Sequence, residues 1–187
     1  HGWYYDTFED FGKFMDNQHE KYPDRIHFIS EYGAGSDVRL HSTNPERFDF
    51  TVEGQKRFLE SFLKQLLERP YISGASVWNL IDFNSERRID AIPHLNSKGL
   101  AEADRTPKDS YFLFQAALSD QPVLKIAETN WKNRAGYAKK DESFVKQHVQ
   151  VYSNAKSVEL FQNGKSLGIK PTENFSATWQ VPFTDGK

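Results

Sequence analysis

Strand-like and helix-like segments alternate through the first 119 residues, and this order constrains the fold more than any other feature of the chain. Two short runs rich in aromatic and β-branched residues, RIHFISEY and YISGASVWNLIDF, predict buried strands, and HGWYY is consistent with the end of another. A helical pattern follows each of them. Such alternation of buried strands with helices indicates a parallel α/β sheet or barrel, in which functional residues lie beyond the carboxyl ends of the strands.

The three helical patterns differ in clarity. Apolar residues recur at three- and four-residue steps through TFEDFGKFMDNQHEKY, which predicts a helix that ends before Pro23. In VEGQKRFLESFLKQLLERP, Phe and Leu repeat every four residues, and Pro70 closes the pattern. Thr106 and Pro107 predict the N-cap and first residue of a third helix, DSYFLFQAAL.

The pattern changes from Pro122 onward. Val149 and Val151 alternate with polar residues, and an Asn163-Gly164 pair between two such runs predicts a tight hairpin. We therefore predict an α/β domain over residues 1–119 and an antiparallel β domain over residues 120–187. The second domain has few strands for a complete sandwich of about 100 residues.

Composition excludes several classes of site. The 187 residues include no cysteine, which rules out disulfides, thiolate metal sites and a cysteine nucleophile. A net charge of −2 provides no basic field for nucleic acid, and no apolar run approaches membrane-spanning length. We predict neither a metal site nor a cofactor, and the composition leaves the compartment open.

Glu31 is unusual because it is a carboxylate at the end of a predicted buried strand. Burying a charge is costly, so such a residue either lies at the mouth of the sheet or has a strong partner. Gly33 and Gly35 follow it and predict a turn with backbone angles that glycine tolerates. Trp78 also stands at a predicted strand end, so the two residues are expected to share one edge of the sheet.

Four motifs in order, ISEYGAGSD, VWNLIDF, NSKGL and DRTPKDSYFLFQAAL, resemble glycoside hydrolase family 2, the β-galactosidase and β-glucuronidase family. The resemblance covers nearly the whole chain. It implies the C-terminal portion of a (β/α)8 TIM barrel, followed by an incomplete immunoglobulin-like β-sandwich. It also implies that Glu31 is the catalytic nucleophile at the end of strand seven, with HGWYY in strand six and SGASVWNL in strand eight.

The mechanism implied by the resemblance is retaining hydrolysis of β-linked terminal sugars, in which a second carboxylic acid protonates the leaving group. In the family this acid belongs to an Asn-Glu pair on strand four, and this chain contains no Asn-Glu dipeptide. We therefore expect the acid/base, and a tyrosine that contacts the nucleophile, upstream of His1. The rest of a parent chain is an expected partner, and residues 1–187 alone are expected to be inactive.

The resemblance implies four substrate-binding residues, each with a structural alternative. Trp78 matches a tryptophan at the floor of the sugar site and could instead be a core residue. Asn96 and Lys98 match the N-x-K pattern of glucuronidases, where a cation meets the sugar carboxylate, although the same loop could be structural. Tyr4 could edge the site. Arg39 and His41 lie in the long loop after the nucleophile. For both, a solvated or loop-bracing role is as open as contact with the substrate.

The leading prediction is a β-galactosidase-like exo-β-glycosidase, with β-glucuronidase as the alternative and β-mannosidase less favoured. The expected partner is a carbohydrate, and the sequence leaves the sugar, the linkage and homo-oligomer formation open. A non-catalytic carbohydrate-binding or assembly module is the competing class, in which Trp131 or Trp179 would form a sugar platform. A tryptophan exposed on the β domain would favour that class, and a buried one would count against it.

Overall fold

The computed structural model describes residues 7–132, 134 and 146–182. The chain forms two compact units, His1–Tyr111 and Phe112–Lys187. The predicted strand HGWYY, and Tyr4 within it, lie outside the described residues. No helix in the described parts of the chain is long and apolar enough to cross a membrane.

The first unit has the predicted alternation of strands and helices. Two strands, β1 and β2, pair in parallel with Tyr32 opposite Val77, and two short strands, β3 and β4, pair antiparallel. The elements of this unit are α1 (Glu9–Lys21), β1 (His27–Tyr32), α2 (Val52–Leu67), β2 (Ile72–Val77), β3 (Phe83–Asn84) and β4 (Leu95–Asn96). Helix α3 (Asp109–Leu118) begins in the first unit and continues into the second.

Helix α2 forms the centre of the core in the first unit. Phe62 is fully buried, and its ring stacks on those of Phe11 and Phe58 at centroid distances of 4.1 Å in both cases. Thr51 caps the helix by accepting a hydrogen bond from the Gly54 N–H. The four-residue repeat of apolar residues thus produces one buried face, as the sequence predicts.

The prediction of buried strands is wrong for both β1 and β2, because Tyr32 is the one buried residue among their twelve. Ile26, just before the strand, is 84% exposed and Phe28 is 57% exposed. Within the described residues β1 pairs only with β2, in a sheet of two strands. The described residues therefore leave these two apolar side chains largely uncovered.

The predicted helix DSYFLFQAAL is confirmed as α3, but its predicted N-cap at Thr106 and first residue at Pro107 are wrong. The residues before Asp109 pair with the preceding chain instead of turning into the helix. The Thr106 carbonyl accepts from the Glu102 N–H at 2.9 Å, and the Lys108 N–H donates to the Leu100 carbonyl at 2.9 Å. These contacts place the Lys108 side chain in the interior, where it is buried.

The second unit contains two antiparallel sheets. One has the order β5-β6-β9 and the other is the hairpin β7-β8. The hairpin turns at Asn163 and Gly164, whose φ angles of 52° and 77° match the predicted tight turn. The strands are β5 (Leu124–Ile126), β6 (Lys146–Ser153), β7 (Ser157–Gln162), β8 (Lys165–Pro171) and β9 (Ser176–Pro182).

The two sheets of the second unit share one apolar core. Val151 and Trp179 from the first sheet pack in a cluster with Val158 and Leu160 from the hairpin. Trp179 is only 3% exposed, so it is a core residue of this unit. The alternation of apolar and polar residues read from the sequence corresponds to the inward-facing and outward-facing side chains of these strands.

Candidate active site

Glu31 lies on β1, one residue before the strand ends at Tyr32. The Tyr32 ring is buried and stacks on Phe62 at 6.0 Å, on the side where α2 packs. Glu31, directly before the buried Tyr32, is exposed, at a point where the register between β1 and β2 shifts. The end of β1, paired with β2, thus presents an exposed carboxylate.

Trp78 follows directly after β2, beside the end of β1. Its backbone N–H donates to the Tyr32 carbonyl at 2.7 Å, and this bond joins the carboxyl ends of the two parallel strands. The Trp78 side chain is 38% exposed and meets the Phe83 ring edge-to-face at 6.0 Å. The Trp78–Asn79 peptide bond is cis. The shared edge that the sequence predicts for residues 31 and 78 is therefore present, with an accessible aromatic surface.

Position 33 requires glycine because a side chain has no room there, and not because the backbone has a positive φ angle. Among the described glycines, positive φ angles occur at Gly164 and Gly168 alone. A Cβ atom on Gly33 would instead overlap the Trp78 carbonyl oxygen. The sequence-based expectation of a glycine-specific turn angle is thus corrected: the chain leaves β1 by passing directly against the backbone at Trp78.

Lys98 is half-buried, and its charge interacts with that of Glu31. Burial lowers the pKa of Lys98 and the nearby Arg88 lowers it further, whereas the carboxylates of Asp90 and Glu31 act in the opposite direction. The Lys98 carbonyl accepts from the Asn79 N–H at 3.0 Å, which ties this segment to the residue after Trp78. Glu31, Trp78 and Lys98 thus belong to one neighbourhood.

Asn96 is 3% exposed and lies on β4, opposite Phe83 of β3. Its side-chain oxygen accepts from the Lys98 N–H at 3.3 Å. This contact folds the segment from residue 96 to 98 upon itself. Asn96 therefore contacts the backbone of Lys98, the other named residue of the N-x-K motif.

The loop after β1 is braced by one ion pair and by one histidine–carboxylate contact. Arg39 makes a two-pronged contact with the buried Asp37, with its Nη2 2.6 Å from Oδ2, and this contact holds the pKa of Asp37 below its usual range. His41 Nδ1 lies 2.8 Å from Oε1 of the buried Glu53. The loop-bracing alternative stated for Arg39 and His41 therefore matches the contacts that the structure gives them.

Lys108 is an important residue that sequence reasoning missed. Its side chain is 1% exposed, and Nζ lies 2.8 Å from Oδ2 of Asp82, whose side chain is 4% exposed. Nζ also donates to the carbonyls of Ser36 and Ser97. The sequence signal is the TPKD stretch, in which the lysine lies just before an apolar helix. The sequence analysis interprets this stretch only as the start of the helix.

The structure thus gathers three of the predicted site residues, Glu31, Trp78 and Lys98, with Asn96 buried next to them. Tyr4 lies outside the described residues. No group of three or more histidine, aspartate or glutamate side chains suited to a metal ion occurs within the described ranges.

Comparisons with known proteins match both parts of the chain. The model of the glycosyl hydrolases family 2 TIM barrel domain matches residues 1–121, and a domain of unknown function, DUF4982, matches residues 146–187. A crystal structure of a Bacteroides uniformis β-glucuronidase is 48% identical over 98% of this chain and 22% of that one, with a TM-score of 0.90.

Two curated relatives carry different activity names. A β-glucuronidase of Bacteroides fragilis is 30% identical over all of this chain and 27% of its own length. A β-galactosidase of Bacteroides ovatus is 32% identical over 68% of this chain and 14% of its own length. The chain therefore spans about a quarter or less of the length of these curated relatives.

Proposed function

Because the chain belongs to glycosyl hydrolase family 2, on the match of its barrel-domain model to residues 1–121, we propose that it carries the nucleophile of a retaining exo-β-glycosidase, and that this nucleophile is Glu31. The proposal is supported by the exposed carboxylate at the end of β1, where the backbone N–H of Trp78 bonds to the neighbouring Tyr32. Trp78 would offer its ring face to the C–H face of the sugar.

In the proposed reaction, a Glu31 oxygen bonds to the anomeric carbon as the bond from that carbon to the leaving oxygen breaks. A second carboxylic acid protonates the leaving oxygen, and its conjugate base then removes a proton from the water that cleaves the glycosyl–enzyme ester. The chain contains no Asn-Glu dipeptide to supply this second group. We assign it to the remainder of the complete enzyme.

For the sugar, we infer a β-glucuronide, and this replaces the sequence-based preference for a β-galactoside. Two proteins named β-glucuronidase match all or nearly all of this chain at 30% and 48% identity. A β-galactosidase matches 68% of it at 32% identity, and a putative β-galactosidase of Bacteroides fragilis matches all of it at only 26% identity. The B. uniformis β-glucuronidase 2 has also been solved covalently bound to cyclophellitol-6-carboxylate aziridine, at 48% identity to this chain. The alternative interpretation of the sequence is therefore the better supported one.

The observation that carries the choice of sugar is the half-buried ammonium of Lys98, whose charge interacts with that of Glu31. Burial disfavours this charge, so an incoming anion stabilises it more than a neutral group would. The carboxylate of a glucuronide is such an anion and can accept a charge-assisted hydrogen bond. The hydroxymethyl group of a galactoside cannot provide the charge.

Lys98→Ala in the full-length enzyme tests the choice of sugar. Loss of a charge-assisted hydrogen bond costs roughly 1.5–3 kcal/mol, so we expect kcat/KM to fall about 10- to 150-fold on a p-nitrophenyl β-glucuronide. Any activity on the matching galactoside should change much less. Lys64→Ala, at an exposed lysine of α2, is the control. Equal losses on both substrates would instead assign Lys98 to a structural loop.

Trapping with a 2-fluoro-β-glucuronide tests the nucleophile. The fluorine slows hydrolysis of the glycosyl–enzyme, so the labelled peptide identifies the attacking residue. We expect the label on Glu31 in the full-length enzyme, and none after Glu31→Gln. A label on any other residue of the wild type would refute the assignment.

The competing hypothesis of a non-catalytic carbohydrate module receives less support. Trp179 is 3% exposed and packs in the apolar core, so it offers no platform to a sugar. Trp131 is half-buried, with the Arg134 guanidinium 4.9 Å from its ring centre. We propose that residues 120–187 form an immunoglobulin-like domain after a barrel segment of residues 1–119, supported by two antiparallel sheets around one core.

A further inference from the structure

We propose that Lys108 is a positioning residue, which holds the segments that follow Glu31 and surround Lys98 in one arrangement so that nucleophile and cation meet the same sugar. This inference rests on the proposed function of Glu31 and Lys98. Lys108 itself is buried and makes no contact with substrate in this scheme.

The Lys108 ammonium connects three separate segments of the first unit. Nζ lies 3.2 Å from the Ser36 carbonyl, five residues beyond Glu31, and 3.0 Å from the Ser97 carbonyl, adjacent to Lys98. It lies 2.8 Å from Oδ2 of Asp82, four residues beyond Trp78. The three protons of an ammonium thus match three acceptor groups, one on each segment.

Further contacts lock the same segments together. The Ser97 carbonyl also accepts from the Ser36 N–H at 3.0 Å, so it bridges the loop after β1 and the ammonium. Asp82 Oδ1 accepts from the Gly99 N–H at 2.7 Å. A shift of the Lys108 ammonium would therefore be transmitted to both sides of Lys98 and to the exit from β1.

A buried ion pair is weak evidence for a purely stabilising role, because removing two charges from water offsets most of their attraction. Burial lowers the pKa of Lys108 and raises the pKa of Asp82, while the charge of each partner opposes the shift of the other. The ammonium donates directed hydrogen bonds to the Ser36 and Ser97 carbonyls, which an apolar side chain cannot do. In catalysis a displacement of about 1 Å can lower the rate on the order of 10²-fold.

Two variants of the full-length enzyme separate positioning from charge compensation. Lys108→Met alone leaves the Asp82 carboxylate buried and unpaired, and this variant could fail to fold. The double variant Lys108→Met/Asp82→Asn removes both charges with similar volumes, and its amide oxygen can still accept from the Gly99 N–H. We therefore expect the double variant to retain the fold while it lacks the bonds to the Ser36 and Ser97 carbonyls.

We expect the double variant to keep its Tm within a few degrees of the wild type while kcat falls about 100-fold. The rate of trapping by the 2-fluoro-glucuronide should fall in parallel. Backbone amides in residues 33–37 and 96–99 should exchange hydrogen faster. The matched control is Lys13→Met/Asp10→Asn, an exposed pair separated by 3.0 Å, which should leave all of these quantities unchanged.

A well-folded double variant with wild-type kcat and unchanged hydrogen exchange would overturn the positioning role, even if the 2-fluoro-glucuronide labels Glu31 in the wild-type enzyme. If it labels another residue of the wild-type enzyme, the proposed function is overturned instead. In that case the exchange measurement decides the positioning role alone: faster exchange in both segments supports it, and unchanged exchange refutes it.

Discussion

At the residue scale, Gly33 shows how closely two backbones approach at the candidate site. The chain leaves β1 against the carbonyl of Trp78, and the Trp78 N–H donates to the Tyr32 carbonyl at 2.7 Å. A backbone oxygen cannot rotate away as the end of a side chain can. Even one methyl group at position 33 must therefore displace either the segment that follows Glu31 or Trp78.

Gly33→Ala should lower the free energy of unfolding by about 1–3 kcal/mol, as overpacking typically does, and should also lower kcat/KM of the full-length enzyme. Gly164→Ala is the matched control, because a Cβ there meets nothing within 4 Å but φ is +77°. It should cost a comparable stability, about 1–2 kcal/mol, with activity intact. Urea unfolding and steady-state kinetics measure both. Wild-type activity in Gly33→Ala would contradict the steric argument.

At the element scale, α1 is tied to the start of β2 by a polar cluster of Asp16, Arg69 and Tyr71. The Arg69 guanidinium contacts both Asp16 oxygens, at 2.8 and 2.7 Å, and the Tyr71 hydroxyl donates to Oδ1 at 2.5 Å. The His19 ring of α1 stacks on the Tyr71 ring at 4.0 Å. The cluster complements the apolar packing of α1 on α2 and fixes where α1 lies.

Burial, followed by the Asp16 carboxylate, raises the pKa of Tyr71 to about 12. The unfolded chain has a tyrosine pKa of about 10, so the neutral phenol stabilises the folded state fully below pH 10. This contribution is lost as the pH rises from about 10 towards 12.

Tyr71→Phe should therefore be less stable than the wild type by about 1 kcal/mol at pH 8, the net value of a typical hydrogen bond. The difference between the two proteins should shrink above pH 10. Urea unfolding at a series of pH values between 8 and 11 measures it. A difference that stays constant over this range would show that the Tyr71 hydroxyl titrates as it does in the unfolded chain.

At the scale of the whole molecule, the chain carries one of the two carboxyl groups that the proposed reaction needs. It spans 27% of the B. fragilis relative and 22% of the B. uniformis protein. Glu31, Trp78 and Lys98 are proposed to form one side of the substrate site, and the sequence contains no Asn-Glu dipeptide to supply the acid/base. Substrate binding and turnover are therefore proposed for the complete enzyme.

Residues 1–187 alone should hydrolyse no fluorogenic β-glucuronide at a measurable rate, because general acid–base catalysis alone contributes about 10²–10⁴-fold. The full-length enzyme, assayed beside its Glu31→Gln variant, provides the reference. Circular dichroism would verify that the shorter chain is folded. Turnover by residues 1–187 that disappears on Glu31→Gln would contradict the missing-acid argument.

The sequence by itself determined the elements whose signals are local. Helix α2 follows from its four-residue apolar repeat, and the hairpin of β7 and β8 from Asn163-Gly164. Glu31 stands out because a charge at the end of an apolar strand needs an explanation. Periodicity and turn preference are properties of neighbouring residues, so they can be read without knowing the partners of each segment.

The tertiary structure alone decided the features that depend on distant partners. Lys108 contacts residues 11, 26 and 72 positions away, and no local pattern distinguishes it from a lysine at a helix start. The exposure of Ile26 depends on what pairs with β1, and the need for glycine at position 33 depends on the position of the Trp78 carbonyl. Each of these reflects packing between segments far apart in sequence, which local preferences do not specify.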